Sequence, residues 1–117
     1  MNFFAQQLKY FLLVALFSLY SLSVQAATDD AKAAALAKQN ACLGCHAVDK
    51  KIVGPSFQAV AKKYAKDPAA TAFLKNKILK GGSGSWGIVP MPANAKLSDA
   101  DVTLLTGWIL RGAPSTN

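Results

Sequence analysis

All the chain's cysteine and histidine falls in five consecutive residues. "ACLGCHAVD", residues 41–49, holds Cys42, Cys45 and His46, and the other 112 positions carry no second histidine and no further thiol. Two thiols three residues apart, with an imidazole after the second, admit four chemistries. A plain disulfide leaves His46 without a role. A thioredoxin-like redox pair wants a strand leading into a helix, and no stretch of this sequence alternates as a strand. A structural zinc site needs four Cys, His or carboxylate ligands; the cluster supplies three, and the chain has no glutamate. The fourth chemistry uses every residue. The thiols add across the two vinyl groups of a haem to give thioethers, and the imidazole binds the iron, which is the c-type attachment pattern.

A haem also answers a question of size. The chain has 117 residues, room for one domain. Its first stretch, "MNFFAQQLKYFLLVALFSLYSLSVQA", carries one cation, Lys9, ahead of an apolar run from Tyr10 to Val24, and closes on Val24-Gln25-Ala26. That is the pattern of a cleaved secretory signal over residues 1–26. The run is shorter than the roughly 20 residues of a membrane-spanning helix, which weighs against an anchor. The expected mature domain is residues 27–117. A domain this small buries a thin core and gains from a cofactor at its centre. Export places the protein in the periplasm, with no membrane insertion once the signal is removed.

Four helices are expected and no strand, so the fold class is all-α. The first runs over about 29–40, with Thr28 as its cap and Asp29 and Asp30 in its first turn. The second lies in "SFQAVAKKYAK", where Phe57, Val60, Ala61 and Tyr64 keep helical spacing. The third is "PAATAFLKNKILK", opened by Asp67 and Pro68 and stopped by Gly81 and Gly82. The fourth begins at Ser98, with Asp101 three residues on and Leu97 and Val102 as a hydrophobic staple. Gly112 and Pro114 end it. Between the third and fourth lies a loop, "GGSGSWGIVPMPANAK", of a length that usually signals function.

That loop supplies the sixth ligand the iron needs. With Met1 removed, Met91 is the remaining methionine, held between Pro90 and Pro92. A His/Met pair raises a haem's potential and leaves the iron no position for substrate, which points to an electron carrier rather than an enzyme. The net charge of +7 comes from lysines spread along the chain. Nucleic acid is not the expected partner, since no basic run is present. A lysine-rich surface steers a protein toward acidic partners, and Lys50, Lys51 and Lys62 are the expected rim of a docking patch.

Three stretches, "NACLGCHAVDKKIVGPSF", "KGGSGSWGIVPMPAN" and "LLTGWIL", together resemble the class I cytochromes c of the small bacterial type, close to the donors of denitrifying and respiring proteobacteria. The resemblance covers about the whole of residues 27–117. It implies one covalent haem c wrapped by about four helices and a Met-bearing loop. It also implies that the Pro55 carbonyl accepts the Nδ1 proton of His46, that the Trp86 indole meets a haem propionate, that Lys77 is a basic partner of a propionate, and that Asn94 stands near the Met91 sulfur. The implied function is a monomeric one-electron shuttle between a membrane quinol-oxidising complex and a terminal reductase or oxidase, docking transiently on redox partner proteins. The alternatives are a haem subunit of a larger redox complex and a gas-binding or peroxidatic haem protein. One departure stands out. The first helix of such proteins usually brings a glycine and an aromatic to the last helix, and here Ala41 and Ala37 stand near those places, while Trp108 matches the last helix's aromatic and Gly107 offers close approach.

Overall fold

The computed structural model describes residues 2–116, and of residues 2, 5 and 15–24 the backbone only. Four α-helices follow in order: α1 Asn2–Gln39, α2 Phe57–Tyr64, α3 Ala70–Lys80 and α4 Asp99–Leu110, with a single 3₁₀ turn at Cys42–Gly44. No strand forms among the described residues. Two isolated bridges, His46 with Lys51 and Gly82 with Met91, are the extended pairings. The all-α expectation holds.

α1 departs from its expected start. It runs unbroken through the segment read as a signal, part of which lies outside the described side chains. Thr28 therefore does not cap. Mid-helix it finds no free N–H to accept from, and its hydroxyl donates backwards to Gln25 O at 2.7 Å. Phe3, Phe4, Leu8 and Phe11 are exposed. Among the described residues no helix is long and apolar enough to cross a membrane.

From Asp30 onward α1 belongs to the core. Ala33 and Ala37 are fully buried, and α4 packs against α1, α2 and α3 together. Val102, Leu105, Trp108 and Ile109 of α4 meet Phe57 and Val60 of α2 and Leu74 and Ile78 of α3. The α1–α4 crossing takes its closeness from Ala33 and Ala37, not from Gly107. A Cβ built on Gly107 would meet the Arg111 guanidinium at 3.3 Å and nothing of α1. Two ion pairs span the crossing, Arg111 with Asp30 and Lys32 with Asp101. Lys75 of α3 reaches Asp99 of α4 at 2.6 Å.

The helix starts follow their caps. Ser98 Oγ accepts from Asp101 N at 3.1 Å and donates to the Asp101 carboxylate at 2.8 Å. Leu97 packs on the core beside the fully buried Val102, as the staple requires. Ser56, an unforeseen cap, accepts from Ala59 N at 3.0 Å. α3 begins at Ala70, two residues after Pro68. Asp67 still serves its entry, accepting from Ala69 N at 2.8 Å in a turn that precedes the helix proper.

Candidate functional site

The His46 side is built locally. Ala41 ends α1 with a left-handed backbone, φ 57°. The chain then folds into the 3₁₀ turn, where Cys45 N and His46 N both donate to Cys42 O, at 3.2 and 3.0 Å. One turn therefore separates Cys42 from Cys45, and no disulfide joins them. Burial pushes the Cys42 thiol above its ordinary value. The thioredoxin-like reading fails on fold, since among the described residues no strand leads into this turn.

Residues 47–56 fold back over this turn. Gly54 N donates to Cys45 O at 2.7 Å, and Phe57 N to Ala47 O at 2.9 Å. The result is a fixed imidazole. His46 Nδ1 lies 2.7 Å from Pro55 O. A carbonyl can only accept, so Nδ1 carries the proton, and in the neutral ring the lone pair is then on Nε2. Phe57 stacks on the ring, centroids 5.4 Å apart and planes within 17°. Gly54 lies against the same ring: a Cβ there would sit 2.4 Å from His46 Cε1. Sequence reasoning found Pro55 but missed Gly54 and the second duty of Phe57. Gly54 has no positive φ, and its need is for space, which a sequence does not display.

The Met91 side is built from a long loop. Gly81 ends α3 at φ 69°, a conformation that favours glycine, and a Cβ there would lie 2.3 Å from Met91 O. Gly82 and Met91 then exchange both backbone hydrogen bonds, at 2.9 Å each. This closes the loop's base and places Met91, half-buried, against the core. Between them the loop turns on Gly84 and Gly87, both with positive φ, with Gly84 N donating to Gly87 O at 2.8 Å. Trp86 remains 43% exposed. The Lys63 ammonium stands over its ring, 4.4 Å from the centroid.

The two sides face one cavity of about 460 Å³, within the range of ligand pockets. Cys42, Cys45, His46, Met91, Pro55, Trp86 and Lys77 all line it. The remaining expected residue, Asn94, does not; its N–H donates to Ile78 O at 2.9 Å, tying the end of the loop to α3. The rest of the wall is mainly apolar, with Val60, Leu74, Ile78, Leu105 and Ile109 at its back. Two thiols one turn apart, an imidazole with a bare Nε2 and a thioether in one apolar chamber are a donor set suited to a haem. Among the described residues no cluster of three or more His, Cys, Asp or Glu offers another metal site.

The comparisons agree with this chemistry. A profile of the Cytochrome c family matches residues 31–112. This chain belongs to the cytochrome c family. Its cofactor is a covalently attached haem c, and its class is electron transport. The cytochrome is 54% identical over 76 residues to cytochrome c-552 of Nitrosomonas europaea, covering 64% of this chain and 73% of that protein. It is 44% identical over 75 residues to cytochrome c-551 of Pseudomonas aeruginosa, covering 64% and 71%. The crystal structure of the Nitrosomonas europaea cytochrome c552 superposes with a TM-score of 0.65 at 48% identity, spanning 68% of this cytochrome and 98% of that one.

Proposed function

We propose that this cytochrome is an exported, soluble one-electron carrier rather than an enzyme. The signal over residues 1–26 is removed, and residues 27–117 work in the periplasm as a monomer. Cys42 and Cys45 form the thioethers, and His46 and Met91 are the axial ligands. The observation that carries the reading is the joint placement of His46 and Met91 on one apolar cavity, with Nδ1 of the histidine already engaged by Pro55 O at 2.7 Å.

When bound, the haem iron supplies reversible one-electron chemistry. The protein's residues govern how well that serves a carrier. Pro55 fixes the His46 tautomer and raises the basicity of Nε2. Gly54 and Phe57 hold the ring in place, so little moves between oxidation states. The apolar wall favours the iron state of lower charge and so raises the potential. Trp86 and Lys77 line the cavity and would donate to the haem propionates, and Asn94 ties the end of the Met91 loop to α3.

Electrons enter and leave at the cavity mouth. Of the residues lining the cavity, Ile88 is 93% exposed and Val89 61%, and Lys51 is exposed as well. An apolar centre with cationic lysines at the rim suits brief docking on acidic redox proteins, with charge setting the encounter rate and an interface under about 1,200 Å². The donor is a membrane quinol-oxidising complex and the acceptor a terminal reductase or oxidase. The test is the optical spectrum of the purified protein, oxidised and reduced, with and without carbon monoxide. A carrier shows low-spin spectra unaltered by carbon monoxide and a weak near-infrared sulfur-to-iron band when oxidised. Ready carbon monoxide binding by the reduced protein would replace this reading with the gas-binding one.

A further inference from the structure

We propose that Lys63 is a positioning residue that latches the Met91 loop shut, coupling α2 to the distal side of the site. The inference rests on the assignment of Met91 as an axial ligand.

Residues 83–90 have little to hold them. All but Ser85 are exposed. Their flanking and internal glycines, 82, 84 and 87, take φ of 108°, 102° and 116°, so the backbone has no strong preference of its own. The paired hydrogen bonds of Gly82 and Met91 close the base of the loop, and the Gly84–Gly87 bond is internal to it. Among the described residues, one hydrogen bond reaches residues 83–90 from another element. Lys63 Nζ donates to Ser85 O at 2.7 Å, across 22 residues of sequence. The same ammonium stands 4.4 Å from the Trp86 ring centroid and 5.5 Å from that of Tyr64. Lys63 thus grips the loop twice, by a charge-assisted bond to its backbone and through the face of its indole.

The position of Lys63 on α2 gives the grip its consequence. Phe57, six residues earlier and about 9 Å along the helix, stacks on His46. One short helix therefore braces both axial sides of the cavity, by an aromatic at its first residue and by a cation near its last. Its neighbour Lys66, exposed just past the helix end, makes no such contact.

Opening of the loop is the step that lets an outside ligand reach the iron in place of Met91. Added imidazole reports it, as the rate at which it displaces the native ligand from the oxidised holoprotein. Lys63→Met keeps most of the aliphatic stem but loses the charge and the donor, and the entry rate should rise roughly two- to fivefold, the range of one exposed cation–π contact, the exposed hydrogen bond being exchanged for one to water. Lys63→Arg should restore a rate near wild type. Lys66→Met removes the same charge from the same end of α2 and should change nothing. The near-infrared sulfur-to-iron band and the unfolding midpoint, read on each variant, separate a loosened loop from a damaged fold. An unchanged rate in Lys63→Met, or an equal rise in Lys66→Met, would overturn the latch. Failure of the ligand assignment looks different: wild type itself would lack the band.

Discussion

The two walls of the cavity hold His46 and Met91 by opposite means. The His46 wall is short in sequence and dense in contact. Within eleven residues of His46 the ring gains a hydrogen bond to Pro55 O, a backbone fold against Gly54 and a stacked Phe57. The Met91 wall is a long loop, exposed over most of its length, closed at its base by one pair of backbone bonds and at its tip by one lysine. The lesson is a division of labour. With His46 and Met91 as the proposed axial ligands, the first wall sets where the iron sits and how basic its permanent ligand is. The second sets how firmly the sixth position stays closed, and so whether the protein is a pure carrier or admits other ligands.

The harshest way to break the comparison is to remove what joins the walls. Cys42→Ala with Cys45→Ala should leave haem that acidified acetone extracts and a chain without a sharp thermal transition. A domain this small relies on its centre, and a group that binds the folded state alone stabilises it by mass action. A cooperative transition in the double variant would show that α1, α2, α3 and α4 pack without it.

Met91→Ala tests the labile wall alone. The near-infrared band should vanish, carbon monoxide should bind the reduced protein, and the potential should fall. The His46 wall should keep the haem attached. A variant that loses its haem altogether would show that the two walls are not separable.

Glycine substitutions give a finer contrast. At Gly54 an added Cβ meets His46 Cε1 at 2.4 Å, so the imidazole must move. Overpacking of this kind costs about 1–3 kcal/mol, and the displaced ring should alter the spin state of the oxidised protein. Gly84→Ala meets no atom within 4 Å and strains only its φ of 102°, at about 1 kcal/mol. Its spectrum should be that of wild type. Denaturant midpoints and oxidised spectra of the pair decide the point, and equal spectral change in both would erase the distinction between the walls.

How much of this was legible in the sequence divides along the same line. The His46 motif, the Met91 loop and the starts of α2 and α4 announce themselves through residue type and spacing. The reach of α1 did not, because Thr28 is a good cap only where a helix begins, and the residues before it are themselves helical. Gly54, Lys63 and the role of Gly107 were hidden for a common reason. Each depends on what lies next to it in space: an imidazole nine residues from its carbonyl partner, a loop 22 residues away, a guanidinium on the next turn of the helix. Asn94 was read as a neighbour of the ligand sulfur, and the cavity lining does not include it.

The smallest expected effect has a sign worth testing, because it places strain on the wall called tight. Ala41 ends α1 at φ 57°, a left-handed conformation that costs a non-glycine residue roughly 1–2 kcal/mol. Ala41→Gly removes that penalty and gives back part of it as added freedom of the unfolded chain. The net gain should be about 0.5–1 kcal/mol, seen as a higher denaturant midpoint with an unchanged slope. Ala37→Gly, four residues earlier, should do the reverse. Ala37 is fully buried at the α1–α4 crossing with ordinary helical geometry, so glycine there loses about 1 kcal/mol of helix propensity, plus the packing of a methyl group. Opposite signs at two alanines one turn apart follow from backbone geometry and burial alone. If Ala41→Gly also destabilises, the left-handed turn into Cys42 is held by contacts of the Ala41 methyl as well as by the bond from Gly44 N to Ala41 O.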